Sequence, residues 1–227
     1  MQSGFPRFRA IAERGLLVEF GETISEEINA HVSRLDRALS AAPPAGFCEA
    51  VPAYASLLIT FDPLVTDHDD MREAALRLIA RPAPGSGTAR THQLAICYEE
   101  ELAPDLAEVS RLTGLSPEAV IAAHLSGSYR VYMYGFAPGY AYLAGVPEAI
   151  RLPRKPAAVR DIPAGSLLIA GQQCIVSTLK MPTGWWVIGR SPGKILTGDP
   201  QQPFLFEPGD QLQFRRISRD EFGPANG

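Results

Sequence analysis

YMYGFAPGYAYLAGVPEAIRLPRKPAAVRDIPAGSLLIAGQQCIVSTLKMPTGWWVIGRSP, from Tyr132 to Pro192, interrupts its apolar runs with glycine and proline at nearly every turn. The runs between the breaks are short and rich in Val, Ile and aromatic residues. The same punctuation continues to the C-terminus, which predicts a closed or folded-over β structure rather than a parallel sheet with crossover helices. Gln211-Leu212-Gln213-Phe214-Arg215 alternates polar and apolar after the Pro208-Gly209-Asp210 turn and reads as the last strand. Upstream, Gln93 to Tyr98 reads as a strand. Asp105 to Leu112 and Pro117 to Leu125 read as short helices, the second opened by Ser116 as N-cap with Pro117 at its first position and closed by Gly127.

The N-terminal part has a different rhythm. Arg7 to Ala12 and Leu16 to Phe20 alternate and meet through Gly15, as a hairpin does. Thr23 and Glu26 have capping-box spacing, and Ile24, Ile28, Val32, Leu35 and Leu39 follow at helical steps on one face. Ala41-Ala42-Pro43-Pro44 ends that helix. Phe47 to Val51 and Ser56 to Phe61 read as strands, and Asp70 to Ala80 as a second helix using Met71, Ala75, Leu78 and Ile79. A ββαββα order with two apolar helix stripes predicts a small antiparallel sheet with both helices on one face. Arg81-Pro82-Ala83-Pro84-Gly85-Ser86-Gly87 lacks periodicity and bulky apolar residues, so it is the expected boundary. The fold class is α+β, with an α+β domain over residues 1–84 and a β-barrel domain over residues 90–227.

Composition narrows the function. The formal charge of −4 and pI near 5.6 argue against a general nucleic-acid binder, which needs clustered positive charge over a broad face. The Asp105 to Leu125 pair has a helix-turn-helix outline, but PEAVIAAHL offers no Arg or Lys to a phosphate or base. No apolar run approaches the roughly 18 residues of a membrane span, and the N-terminus lacks the order of a signal peptide. Cys48, Cys97 and Cys174 are odd in number, far apart and set among apolar neighbours, as expected of reduced thiols buried in strands of a cytoplasmic protein. His31, His68, His92 and His124 are scattered, without metal-ligand spacing, and Asp67, Asp69 and Asp70 read as charges of a helix first turn. Gly193-Lys194 resembles the end of a phosphate loop, but Gly189 is too close and Ile195 replaces the Ser or Thr that would hold magnesium. No GxSxG elbow or evident Cys–His pairing supplies a nucleophile.

What remains is cationic. Arg151, Arg154, Lys155 and Arg160 lie in a segment stiffened by Pro153, Pro156 and Pro163. A guanidinium donates paired hydrogen bonds in a fixed fork, so an ordered cluster suits an anionic small molecule or a transferring phosphoryl group. A solvated charge run would look the same in sequence. Gly135, Gly139 and Gly145 serve equally as points of close backbone approach or as hairpin turns. Among Tyr132, Tyr134, Tyr140, Trp185 and Trp186, strand alternation sends only one of each adjacent pair inward, so one tryptophan is core and the other faces a ligand, a partner or solvent. His124 either meets its helix dipole or transfers protons at the Gly135 to Tyr142 segment. Gln172 either orients a substrate or occupies a turn.

GFAPGYAYL at Gly135 to Leu143, PRKPAAVRDIPAGS at Pro153 to Ser166, IAGQQ at Ile169 to Gln173 and GWWVIGRSP at Gly184 to Pro192 resemble the family of 5-oxoprolinase B subunits. That family is also labelled allophanate hydrolase subunit 1 and includes a sporulation-kinase inhibitor. The resemblance implies an N-terminal α+β domain followed by a cyclophilin-like β-barrel. It implies one component of a heteromeric enzyme, inactive alone, that works with partners like the C and A subunits of 5-oxoprolinase. The reaction implied is ATP-dependent opening of 5-oxo-L-proline to L-glutamate, with ATP, and magnesium shared with the partners, activating the lactam oxygen. Arg154, Lys155 and Arg160 match the family's basic positions, Gln172 its glutamine after the glycine, and His124 a histidine in the preceding helix. These five are the expected catalytic set. Substrate contacts are expected at Gly135, Phe136, Pro138, Gly139 and Tyr142, and at Arg190, which matches the GR of GRTP-like endings. The chain departs from the common family pattern at Pro138 to Leu143, Cys174 to Ser177 and Pro182 to Trp185, which leaves the substrate open. Two other functions are compatible with the resemblance: a protein-binding inhibitor of a histidine kinase, and a carboxyltransferase-type or allophanate-type component that acts on a urea-derived amide.

Overall fold

The structure, a computed structural model, describes residues 4–81 and 89–223. The chain divides into two compact units, residues 1–88 and 89–227. The predicted boundary segment lies, beyond Arg81, outside the described residues.

In the first unit, β1 (Arg7–Ile11) and β2 (Gly15–Glu19) form the expected hairpin, followed by α1 (Glu26–Ala41), β3 (Phe47–Pro52), β4 (Ser56–Phe61) and α2 (His68–Ala80). The sheet is antiparallel in the order β1-β2-β4-β3. Leu16 and Val18 of β2 and Leu57, Ile59 and Phe61 of β4 point to one face. There they meet Ile28, Val32, Leu35 and Leu39 of α1 and Met71, Ala75 and Leu78 of α2. Fully burying each Leu, Ile or Phe is worth about 1.5–3 kcal/mol, so one shared face holds both helices on the sheet. The capping box at Thr23 and Glu26 does not form. Ser25 is the N-cap, without a side-chain bond, because α1 begins at Glu26. On α2 the Asp67 carboxylate caps the helix by accepting from the Asp70 N–H at 2.9 Å, and Asp69 and Asp70 occupy the first turn.

The second unit is a closed barrel wrapped by short helices. In chain order it comprises β5 (Thr91–Cys97), α3 (Leu106–Thr113), α4 (Pro117–Leu125), β6 (Tyr129–Tyr134), β7 (Ala141–Ala144), β8 (Val159–Ile162) and β9 (Ser166–Ala170). It continues with β10 (Gln173–Val176), β11 (Met181–Thr183), β12 (Trp186–Arg190), β13 (Gln211–Ile217) and α5 (Arg219–Phe222). The barrel runs β10-β7-β6-β13-β5-β12-β9 and closes through the β9–β10 hairpin. Only β5 and β13 run parallel, Thr91 to Cys97 in register with Gln211 to Ile217. The Ser116 hydroxyl caps α4 as predicted, accepting from the Ala119 N–H.

A separate ribbon, β8 with β11, explains why the central strands lack polar alternation. Leu167 and Ile169 of β9, with Cys174, Val176, Trp186 and Ile188, face the barrel interior. Leu168 and Ala170, with Ile175 and Val187, face outward and are covered by Tyr140, Ile162 and Trp185. Every residue of β9 is therefore buried. Both tryptophans are buried, on opposite faces: Trp186 enters the barrel interior and Trp185 lies on the outer face. Cys97 and Cys174 are buried thiols, but Cys48 is exposed on β3.

Candidate functional site

The loop from Gly135 to Tyr140, between β6 and β7, lines one hollow and touches Thr178 and Leu196, which line another. It is closed by the Gly135 N–H donating to the Tyr140 carbonyl at 3.2 Å and the Ala137 N–H donating to the Gly135 carbonyl at 2.8 Å. Phe136 sits at φ +70 with its side chain 74% exposed, an uncommon backbone state for a bulky residue that holds the ring outward. On the other flank the Pro138 carbonyl accepts from the Thr178 hydroxyl at 2.8 Å. Gly139 lies at φ +66 against Leu196 and Phe204, a left-handed conformation that favours glycine.

The smaller hollow, of about 130 Å³, is walled by Phe136, Tyr140, Tyr142, Ile175 and Trp185, with Arg154 at its edge. Each ring touches the next. Phe136 meets Tyr140 at 5.6 Å, Tyr140 meets Tyr142 at 5.9 Å and Tyr142 meets Trp185 at 6.0 Å between centroids. The Arg154 guanidinium lies 5.6 Å from the Trp185 ring centroid, where the face of the indole attracts a cation. Burial pushes the Tyr140 phenol up to about 12. Burial also raises the Tyr142 phenol, partly offset by the positive charge of Arg154. Both remain neutral donors near neutral pH.

The larger cleft, of about 390 Å³, opens beside Ala164, Gly165, Ser177, Thr178, the Arg190 to Leu196 segment and Phe222. Arg190 Nε donates to the Ala164 carbonyl at 3.0 Å and its guanidinium lies 5.9 Å from the Phe222 ring centroid. Burial lowers the Arg190 pKa, the mark of a cation drawn partly out of water. Lys194 is exposed at the same cleft. Among the described residues, no Asp or Glu lines either hollow.

The expected catalytic set does not converge. Arg154 edges the small hollow, but Lys155 turns inward and pairs with Asp105, its ammonium lying 5.6 Å from the Trp186 ring centroid. Asp105 also accepts from the Val187 N–H at 2.7 Å, so this charge pair fastens the start of α3 to β12. Arg160 is exposed on β8 and lines neither hollow, while Arg151 Nε donates to the Val146 carbonyl at 2.8 Å. Proline stiffens this segment without aiming its cations at one point: Arg151 turns back to Val146, Lys155 to Asp105 and Arg154 to Trp185. Gln172 is an exposed turn residue at the β9–β10 tip, whereas the large cleft meets the opposite end of β9 at Gly165.

His124 is fully buried, and desolvation pushes its pKa down to about 3. Its Nδ1 is 2.9 Å from the Tyr98 hydroxyl and its Nε2 is 3.9 Å from Cys174 Sγ, with Tyr129 and Phe214 against the ring. A sealed, neutral imidazole neither relays protons to the Gly135 to Tyr142 loop nor carries the charge that a helix dipole would hold. Of the expected substrate contacts, Phe136 and Tyr142 wall the small hollow, Gly135, Pro138 and Gly139 shape the loop, and Arg190 belongs to the other cleft. Sequence reasoning left one tryptophan for a ligand, a partner or solvent but named neither Tyr140 nor Trp185 among the substrate contacts, and it set Lys194 aside with the failed phosphate-loop match. Lys194 opens no helix, so that rejection holds, yet the residue still reaches a cationic cleft.

The model for the carboxyltransferase domain, subdomain C and D, matches residues 6–206. The B subunit of the 5-oxoprolinase of Bacillus subtilis (strain 168) is 34% identical over 226 residues, covering 93% of each chain. The crystal structure of TTHA0988 superposes with a TM-score of 0.80 and 37% identity over 90% of this chain, which spans only 40% of that longer chain. The K. lactis urea amidolyase shares the fold, with a TM-score of 0.76 at 16% identity, over 95% of this chain and 15% of that one. With a family model spanning most of its length and a relative matched almost end to end, the chain belongs to the family of 5-oxoprolinase B subunits and carries the carboxyltransferase subdomain C and D fold.

Proposed function

We propose that this chain is one component of a heteromeric, ATP-dependent 5-oxoprolinase-type enzyme that opens 5-oxo-L-proline to L-glutamate, and that the small aromatic hollow holds the lactam acid. The observation that carries the reading is Arg154, a cation on an indole face at the rim of a hollow of about 130 Å³ with no acidic wall residue. That space admits one small ring and is too small for a nucleotide. Arg154 holds the carboxylate of the acid, Tyr142 donates to the lactam carbonyl oxygen, and Trp185 and Phe136 cover the ring faces. A five-membered lactam is a stabilised amide, and ATP supplies the phosphoryl group that makes its carbonyl oxygen a leaving group. Among the described residues neither hollow is lined by a His, Cys, Asp or Glu to act as nucleophile or base. Partners like the C and A subunits of 5-oxoprolinase complete the site, in keeping with the naming of the relatives as subunits. Magnesium, in this reading, comes with the nucleotide and is shared with the partners. A cytoplasmic setting belongs to this proposal. No described helix is long and apolar enough to cross a membrane.

The test is to co-purify the chain with the products of its neighbouring genes and assay ATP-dependent glutamate release from 5-oxoproline. Arg154→Ala is expected to lower kcat/KM at least roughly tenfold, about 1.4 kcal/mol of transition-state stabilisation. Unaltered kinetics in that variant would remove the hollow from the reaction.

A further inference from the structure

We propose that the larger cleft is a phosphoryl-binding site, with Arg190 and Lys194 neutralising a dianionic oxyanion and the Ser191 hydroxyl donating to it. Arg190 is half-buried, and its Nε is committed to the Ala164 carbonyl, which leaves the terminal nitrogens of its fork to be matched. Among the described residues it has no carboxylate partner, although removing a cation from water without an anion is costly. Lys194 brings a second positive charge to the same cleft, and the lining contributes no negative one. Two cations balance a phosphoryl dianion better than a carboxylate monoanion.

The hydroxyls separate by role. Ser177 Oγ donates to the Pro163 carbonyl and accepts from the Ser166 N–H, and Thr178 donates to Pro138, so both serve the fold. Ser191 Oγ accepts from the Gly193 N–H at 3.0 Å, which leaves its proton for a ligand oxygen. The volume of about 390 Å³ exceeds what a lone lactam acid needs. Ile195, Leu196 and the Phe222 ring form an apolar wall against which the remainder of a larger molecule would pack.

The site stands apart from the lactam hollow; only the identity of the ligand, a nucleotide or free phosphate released by turnover, rests on the proposed function. Binding of inorganic phosphate, ATP and 5-oxoproline to the purified full chain by calorimetry tests it without any partner or turnover. Saturable binding of phosphate or ATP is expected, weakened roughly tenfold by Lys194→Gln, about 1.4 kcal/mol. Lys194 is exposed, so that variant keeps its fold; Arg190→Gln is expected to weaken binding further. Arg154→Ala is expected to leave phosphate affinity unchanged. Tighter binding of ATP than of phosphate identifies a nucleotide, and tighter binding of phosphate than of ATP identifies the free anion. No saturable binding of either, binding indifferent to Lys194→Gln, or displacement of phosphate by 5-oxoproline would each overturn the assignment, and the first two would leave the lactam reading intact.

Discussion

His124 and Cys174 face one another across 3.9 Å inside the barrel, both without charge. Desolvation raises the thiol pKa and lowers that of the imidazole, so neither group activates the other. Such a pair has a measurable thermodynamic signature. Above pH 6.5 the imidazole is neutral whether the chain is folded or unfolded. Below it the unfolded chain takes up a proton that the folded chain refuses until about pH 3, so stability falls as pH drops through that window. One unit below the unfolded pKa the loss is about 1.4 kcal/mol. Tyr98, whose pKa is raised by burial, and Cys174 stay neutral throughout, so the effect belongs to the imidazole. Both tryptophans of the chain lie in the barrel unit and report its unfolding. Denaturant titrations at about pH 7.5 and about pH 5.5 should show wild type losing about 1.4 kcal/mol more than His124→Gln. Equal losses would mean that the ring is protonated or solvated in the folded protein. The burial had a sequence signal: PEAVIAAHL is apolar on nearly every face, and a helix of that kind is enclosed. The fate of Lys155 had none, because its partner Asp105 lies 50 residues away and becomes a neighbour only after the barrel closes.

Helix ends are where local sequence and observed structure can be compared most directly. Thr23 has capping-box spacing and Asp67 reads as a first-turn charge, yet Asp67 is the residue whose side chain caps a helix, and Ser25, the N-cap of α1, makes no side-chain bond. Asp67→Ala should therefore cost the first unit about 1 kcal/mol, while Thr23→Ala should stay within about 0.5 kcal/mol. Far-UV dichroism in urea and exchange of the α2 amides would show the difference. A larger loss at Thr23 would mean that α1 starts earlier than Glu26. The elements themselves were largely legible: the alternating hairpin, the two amphipathic helices, the capped α4 and the final strand all depend on neighbours a few residues apart. The ribbon of β8 and β11 was not, since its strands are short and its role is to cover the outer faces of Leu168 and Ile175. That missing element accounts for both tryptophans being buried, because Trp185 rests under it while Trp186 enters the barrel. The site was legible in part for a related reason. Its loop, Gly135 to Tyr140, is encoded locally by glycine and proline, but the choice of which cation faces which hollow depends on strand register and long-range pairing.

At the scale of the molecule, the core residues of the two units do not mix: one cluster lies wholly before residue 82 and the others wholly after residue 88. Each unit therefore has its own apolar face to bury. The barrel also joins its own ends, for its first strand, β5, pairs in parallel with its last, β13, and β13 separates β5 from β6 in the closed ring. Removing β13 would expose two strand edges and uncover Leu212 and Phe214, which pack in the interior. A fragment of residues 89–227 should fold alone, with wild-type tryptophan emission and a cooperative urea transition. A fragment of residues 89–209, which lacks β13, should give neither and should aggregate through its open edges. The contrast matters because both fragments contain the Gly135 to Trp185 hollow and the Arg190 to Leu196 segment. If the shorter fragment folded as well as the longer one, closure would not support the site, and the loop and hollows would have to be set by local turns alone. If the longer fragment failed, the first unit would have to stabilise the barrel through more than chain continuity. Success of the longer fragment with failure of the shorter would place the geometry of both hollows under the control of a strand pairing that joins the two ends of the barrel.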